Sequence, residues 1–224
     1  MARVLFGPSP RPAGLGLVDG ALTLDGRPSW PPPRCPLPGP HNIANAQAAL
    51  AAGLALGLPL GPMVGALQTF RGLPHRLERV GERDGVAWYD DSKATNPHAS
   101  AVGLAALPGP LVVITGGFDK GLDLKPFLDA VRGRARHVIV MGPTGIRTAA
   151  ALAGEVPTTA APDMATAVAL AAAQSRPGDQ VVCRPPPRPS TPGTSYAARG
   201  DAFQACVRTA ILGLPAAGPA SRGH

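Results

Sequence analysis

Read as a pattern of apolar and polar positions, the chain changes character near residue 71. Before it, apolar runs are short: Val4-Leu5-Phe6, Leu15 to Val18 and Ala21 to Leu24, with Asp19-Gly20 and Asp25-Gly26 between the later ones. Such runs separated by turn dipeptides read as β-structure. Pro31-Pro32-Pro33 forces an extended connection. A helical apolar pattern follows from about Asn42 to Leu56, stopping at Gly57 with Pro59 beyond. A second helix is predicted from Pro62 to Phe70. The stretch Ile43 to Leu60 approaches membrane length, but Asn45, Gln47, Gly53, Gly57 and Pro59 interrupt it, so it reads as a buried core helix.

Arg71-Gly72-Leu73-Pro74 reads as a hinge, because glycine and proline punctuate it and the pattern changes after it. Leu77 to Val80 and Val86 to Tyr89 flank Glu82-Arg83-Asp84-Gly85 as a β-hairpin. Strands are then predicted at Leu111 to Thr115, His137 to Met141 and Gln180 to Cys183. Helices are predicted at Pro97 to Leu107, Leu124 to Arg134, Thr144 to Leu152, Asp163 to Ser175 and Ala197 to Leu212. That alternation argues for an α/β fold, a mainly parallel sheet covered by helices. Residues 213–224 read as a disordered tail.

Composition adds little to this pattern. A chain of 224 residues can bury a real core in one or two domains. Only three of its 21 basic residues are lysines, Lys93, Lys120 and Lys125. The formal charge of +7 suits anionic ligands. No basic run is interleaved with aromatics, which argues against a nucleic-acid partner. Cys35, Cys183 and Cys206 have neither zinc nor disulfide spacing, so a reducing cytoplasm is expected. The first 18 residues carry prolines where a signal peptide needs an unbroken apolar segment.

Chemistry concentrates where the run Val86 to Tyr89 stops in Asp90-Asp91-Ser92-Lys93-Ala94-Thr95-Asn96-Pro97. Asn96-Pro97 reads as an N-cap followed by proline at the first helical position. The stretch is therefore a strand, a polar loop and a helix, and ligands of open α/β sheets bind at such strand ends. An ordinary polar surface turn is the competing reading. Asp91 and Lys93 alternate, so both are expected on one side, as a site or as a local ion pair worth little.

Other candidates are spread along the chain. Asn42 and Asn45, three apart at a helix start, offer donors and acceptors to a nucleobase edge, or Asn42 simply caps the helix. Arg76, just past the hinge, could fork onto phosphate oxygens or lie solvated at the surface. Gly116-Gly117-Phe118-Asp119-Lys120 follows the strongest strand, and its glycines let backbone N–H groups approach an anion. No Gly-x-x-x-x-Gly-Lys-Ser/Thr occurs, so this is not a P-loop of the usual form. Arg184-Pro185-Pro186-Pro187-Arg188-Pro189-Ser190 reads by composition as a rigid connector.

The hexapeptide Asp91-Ser92-Lys93-Ala94-Thr95-Asn96 resembles the ATP-dependent Mur ligase family, and within it the members that add D-glutamate. His41-Asn42-Ile43-Ala44-Asn45, Phe70 to Arg76, Gly116 to Lys120 and Tyr196-Ala197-Ala198-Arg199-Gly200-Asp201 fall in the same order as in that family. Two segments depart from its usual wording: Phe118-Asp119 precede the lysine, and the arginine- and proline-rich stretch stands where the family has Ser-Pro-Ala.

The resemblance implies ATP-dependent ligation of D-glutamate to UDP-N-acetylmuramoyl-L-alanine through an acyl phosphate, in peptidoglycan precursor synthesis in a bacterial cytoplasm. It implies ATP contacts from Asn42, Asn45, Arg76 and Asp91. Lys93 and Arg76 would serve the reaction, and Thr95, Lys120, Ser190 and Tyr196 would hold D-glutamate. It further implies a truncated end of an ATPase-type central domain at 1–71, lacking its P-loop. A Rossmann-like C-terminal domain at 72–212 and the tail at 213–224 would follow. Magnesium ligands are expected in the part not represented, with none in this chain. The implied protein is a monomer without membrane or nucleic-acid partners, inactive if present only as this half. Another Mur ligase or a folylpolyglutamate synthetase is the alternative enzyme, and a non-catalytic ligand-binding remnant is the alternative of another class.

Overall fold

The computed structural model describes residues 15–18, 21–24, 27–28, 37–116, 122–184 and 195–215. The chain divides into two compact units, Met1–Gly72 and Leu73–His224. In the first, β1 (Leu15–Val18), β2 (Ala21–Leu24) and β3 (Arg27–Pro28) form an antiparallel meander. Helices α1 (Pro40–Ala55) and α2 (Leu60–Thr69) pack through Leu50, Ala51 and Val64. Helix α1 starts two residues before the sequence suggests. Gly39 is its N-cap, and Asn42, already inside the helix, donates from Nδ2 to the Pro38 carbonyl at 2.8 Å. Capping by Asn42 is thereby corrected: Pro40 with its fixed φ opens the helix instead.

The second unit is a six-stranded sheet in the order β4-β5-β9-β6-β7-β8. Strand β4 (Glu78–Arg83) pairs antiparallel with β5 (Val86–Asp90), and the other pairings are parallel. The remaining strands are β6 (Leu111–Thr115), β7 (Ala135–Met141), β8 (Thr158–Ala161) and β9 (Gln180–Arg184). Every residue of β5, β6 and β9 is buried, as expected for central parallel strands covered on both faces.

Two clusters line the two faces. On one, Ala87, Tyr89, Val113 and Val182 meet Leu104 of α3 (Pro97–Ala106) and Phe127 of α4 (Lys125–Arg132). On the other, Trp88, Val112, Ile114, Ile139 and Val181 meet Ala167 of α6 (Met164–Gln174) and Phe203 of α7 (Tyr196–Cys206). Helix α5 (Gly142–Leu152) completes the alternation, and α7 runs on into a π-helical turn at Val207–Ile211.

Strand β8 is the one element of this unit that the sequence pattern misses. It is an edge strand, Thr-Thr-Ala-Ala, with a single fully buried position, so no apolar run betrays it. Helices α3 and α6 begin where the pattern placed them. Asn96 caps α3 by accepting from Ala99 N at 2.8 Å, and Asp163 caps α6 by accepting from Thr166 N at 2.8 Å. Strand β9 lies between β5 and β6, so the chain leaving β5 crosses over it to reach β6. Helices α3 and α7, which follow the neighbouring strands β5 and β9, cover opposite faces. A crevice therefore opens outside the carboxyl ends of these strands.

Phe127, fully buried on α4, is the largest apolar anchor of its cluster. Phe127→Ala should cost about 3–5 kcal/mol in urea unfolding. Ile146→Ala, at a largely exposed position, should change stability by no more than about 0.5 kcal/mol.

Candidate active site

Strand β5 ends at Asp90, and Asp91 follows it with its side chain turned to the opposite face. Both are buried. Asp90 turns toward α7. Its Oδ1 accepts from Ser92 N at 2.9 Å, and its Oδ2 contacts His75 Nδ1 at 2.8 Å and accepts from Gln204 Nε2 at 2.8 Å. The same Gln204 amide donates to Glu78 Oε2 at 2.9 Å, which also accepts from His75 N at 2.9 Å. The second imidazole nitrogen lies 3.6 Å from Asp201, an exposed carboxylate on α7.

Asp91 turns toward α3. Its Oδ1 accepts from Leu77 N at 2.9 Å, and Arg184 Nη2 lies 2.6 Å from its Oδ2. The Arg184 side chain is fully buried, and among the described residues its guanidinium nitrogens find no well-directed hydrogen-bond acceptor. Burial pushes the guanidinium pKa down, against the opposing pull of the Asp91 charge. The neighbouring Cys183 thiol is held protonated by its burial and by the Asp90 charge.

Each carboxylate faces a helix glycine. A Cβ on Gly200 would stand 2.2 Å from His75 Nδ1 and 2.6 Å from Asp90 Oδ2. A Cβ on Gly103 would stand 2.2 Å from Arg184 Nη2 and 2.8 Å from Asp91 Oδ2. The polar groups occupy the space that helix side chains would otherwise fill. The segment between the units and β4 is also constrained, since His75 and Leu77 carry φ of 62° and 47°, uncommon for residues with a Cβ. Their N–H bonds to Glu78 and Asp91 hold it there.

The strand stops at Asp90 and residues 92–93 form a turn, so the alternation does not reach Lys93. The expectation that Asp91 and Lys93 point to one side is therefore corrected. Asp91 goes to Arg184, while Lys93 donates from Nζ to Tyr196 Oη at 2.9 Å and lies 4.5 Å from that ring's centroid. The Tyr196 ring also meets His75 edge-on at 6.1 Å. Lys93, Tyr196 and His75, the last bound to Asp90, thus meet at the carboxyl end of β5. Thr95 lies in the same loop, exposed, with its N–H on the Lys93 carbonyl at 2.9 Å. Arg76 is exposed, its backbone N–H on the Leu73 carbonyl at 3.2 Å. Asn45 is exposed on α1 in the first unit, with Asn42 half-buried beside it. Lys120 and Ser190 lie outside the described residues.

Sequence reasoning missed Asp90, Glu78, Gln204, Gly200 and Arg184. The signal for Asp90 was present, because a second carboxylate at the end of a fully apolar strand needs its own partner. His75, Glu78 and Asp90 bring possible metal-ligand atoms within 4.8 Å of one another. The Gln204 amide donates into both carboxylates of that cluster, so N–H groups stand where a cation would need to sit, and the cluster does not fit magnesium. Among the described residues no helix is long and apolar enough to cross a membrane.

Residues 75–185 match the family model described as Mur ligase, glutamate ligase domain. The chain is 43% identical over 177 residues to the UDP-N-acetylmuramoylalanine–D-glutamate ligase of Nitrosococcus oceani, covering 78% of this chain and 39% of that one. The ligase of the same name from Hahella chejuensis is 40% identical over 208 residues, 89% of this chain and 47% of its own. The chain thus spans less than half the length of these relatives. In fold it is similar to the UDP-N-acetylmuramate-alanine ligase of Thermotoga maritima, with TM-score 0.57, 20% identity, and coverage of 81% of this chain and 41% of that one. A folylpolyglutamate synthase of Mycobacterium tuberculosis solved with ADP gives TM-score 0.58 at 20% identity, covering 87% and 47%.

The buried Asp91–Arg184 pair has a consequence for stability. Asp91→Asn leaves a buried guanidinium without its counter-charge and should cost about 3–5 kcal/mol in urea unfolding. Arg184→Met leaves the buried Asp91 carboxylate without its counter-charge and should cost a similar amount, whereas the double variant, which removes both charges, should recover most of either loss. A small loss in Asp91→Asn alone would show that the pair carries little.

Proposed function

The chain belongs to the Mur ligase family, and from that premise we propose that it serves the ATP-dependent ligation of D-glutamate to UDP-N-acetylmuramoyl-L-alanine. In this reading a carboxylate oxygen of the uridine-linked substrate attacks the γ-phosphorus of ATP, and ADP leaves. The amine of D-glutamate then attacks the acyl carbon, a proton leaves the nitrogen, and phosphate departs. What this unit contributes is positioning and charge neutralisation rather than a covalent nucleophile.

The observation that supports the reading best is Lys93, whose ammonium is held on Tyr196 at the carboxyl ends of parallel strands, inside Asp-Ser-Lys-Ala-Thr-Asn. A fixed cation there would neutralise the reacting carboxylate and the transferred phosphoryl group. Thr95, Lys120, Ser190 and Tyr196 would hold D-glutamate. Asn42 and Asn45 of the first unit would meet the adenine, and Arg76 of the second the terminal phosphates of ATP. Asp91 would receive the ribose beside its Arg184 contact, although the burial of that pair fits such a role less well than the open positions of Arg76 and Thr95 fit theirs. Magnesium, which would screen the phosphates, finds no fitting ligand set among the described residues, and no step here passes through it. The reaction belongs to a bacterial cytoplasm, where its nucleotide-linked substrate is soluble.

Titration of the chain with D-glutamate should shift the Thr95 amide and the lysine side-chain resonances more than L-glutamate does. Lys120→Ala should lose about 2–3 kcal/mol of D-glutamate affinity, on the order of thirtyfold or more, with ADP affinity unchanged. Equal weakening of both ligands, or no response to D-glutamate, would count against the reading.

A further inference from the structure

Lys93 sits on a turn and Tyr196 at the exposed first turn of α7, and neither element fixes the other by backbone pairing. Between them lies His75. Its carbonyl accepts from Lys93 N at 3.0 Å, its ring packs edge-on against Tyr196, and its Nδ1 is bound to Asp90 at the end of β5. The approach of α7 to this imidazole is possible only because position 200 has no side chain.

We propose that Asp90, His75 and Gly200 form a positioning device that holds the Lys93 ammonium against the Tyr196 ring. Asp90 fixes the imidazole from inside the sheet, where it is itself fixed by Ser92 N and Gln204. His75 then fixes the turn through its carbonyl and the aromatic ring through its edge. Gly200 sets how closely α7, and with it Tyr196, can approach. None of the three needs to touch a substrate to do this. The inference rests on the ligase reading only for why the Lys93 position matters; the geometry itself is independent of it.

The test uses side-chain NMR of the chain itself, which has only three lysines. A lysine lying over an aromatic face has its ε-methylene protons displaced upfield, and exposed Lys125 supplies an undisplaced reference. Lys93→Arg assigns the signal, and Tyr196→Leu should abolish the displacement. His75→Ala and Gly200→Ala should each return the Lys93 signal to the position of Lys125. His75→Asn, which tolerates the positive φ and keeps an amide donor toward Asp90 but has no ring edge for Tyr196, should stay folded and lose most of the displacement. A folded His75→Ala or Gly200→Ala chain with the displacement intact overturns the proposal. So does unfolding of both alongside a folded, displaced His75→Asn, which would make the cluster a folding element. Failure of D-glutamate to bind, with the Lys93 displacement obeying these expectations, would remove the ligase reading and leave the device standing.

Discussion

The second unit depends on burying charge at the carboxyl end of one central strand. Strand β5 has neighbours on both sides and helices on both faces, so its last residues cannot reach water along the sheet. A strand that ends there in two carboxylates must supply each with a partner on its own face, since an unpaired buried charge costs several kcal/mol. The solutions differ. On the α7 face a network of imidazole, amide and backbone N–H groups surrounds Asp90. On the α3 face one buried guanidinium faces Asp91. The first is densely hydrogen-bonded and leaves its histidine in contact with the turn that carries Lys93. The second matches charge with charge, but among the described residues the guanidinium finds no well-directed acceptor, so it stabilises less than its short distance suggests.

This arrangement links fold to chemistry without a loop of unusual length. The parallel order brings β5 and β9 side by side, and their following helices part to opposite faces. The turn after β5 therefore delivers Lys93 to the start of α7, which follows β9. The residues that meet there come from positions 75, 93 and 196, far apart in the chain and adjacent only because of the crossover. The same logic accounts for the strained backbone at His75 and Leu77: the half-buried Glu78 and the buried Asp91 accept from that segment and over-determine it.

Much of this was legible in the sequence. The strongest apolar runs became the central strands, and the Asn96 cap appears where it was read, because it is a local signal. What was not legible was relational. Strand β8 lacks an apolar run since the edge of the sheet does not demand one. The divergence of Asp91 and Lys93 depends on where β5 stops, at Asp90, before the alternation can reach Lys93. Arg184 reads as the start of a proline-rich connector, yet it is the last residue of β9 and buried, because that strand stays paired with β6 to its final position. Nothing in its local wording names Asp91 as its partner. The roles of Lys120 and Ser190 rest on resemblance alone.

The glycines at 103 and 200 bear on how such a domain could be engineered. Replacing a glycine inside a helix with alanine ordinarily raises thermal tolerance, by roughly 0.5–1 kcal/mol for each exchange. A programme that hardened this protein by that rule would find both helices inviting. At these two sites the added methyl group would meet an imidazole or a guanidinium already pressed against the helix axis. The apparent weakness of α3 and α7 at these positions is the room that the partners of the sheet's two buried carboxylates occupy, so hardening the protein has to begin elsewhere.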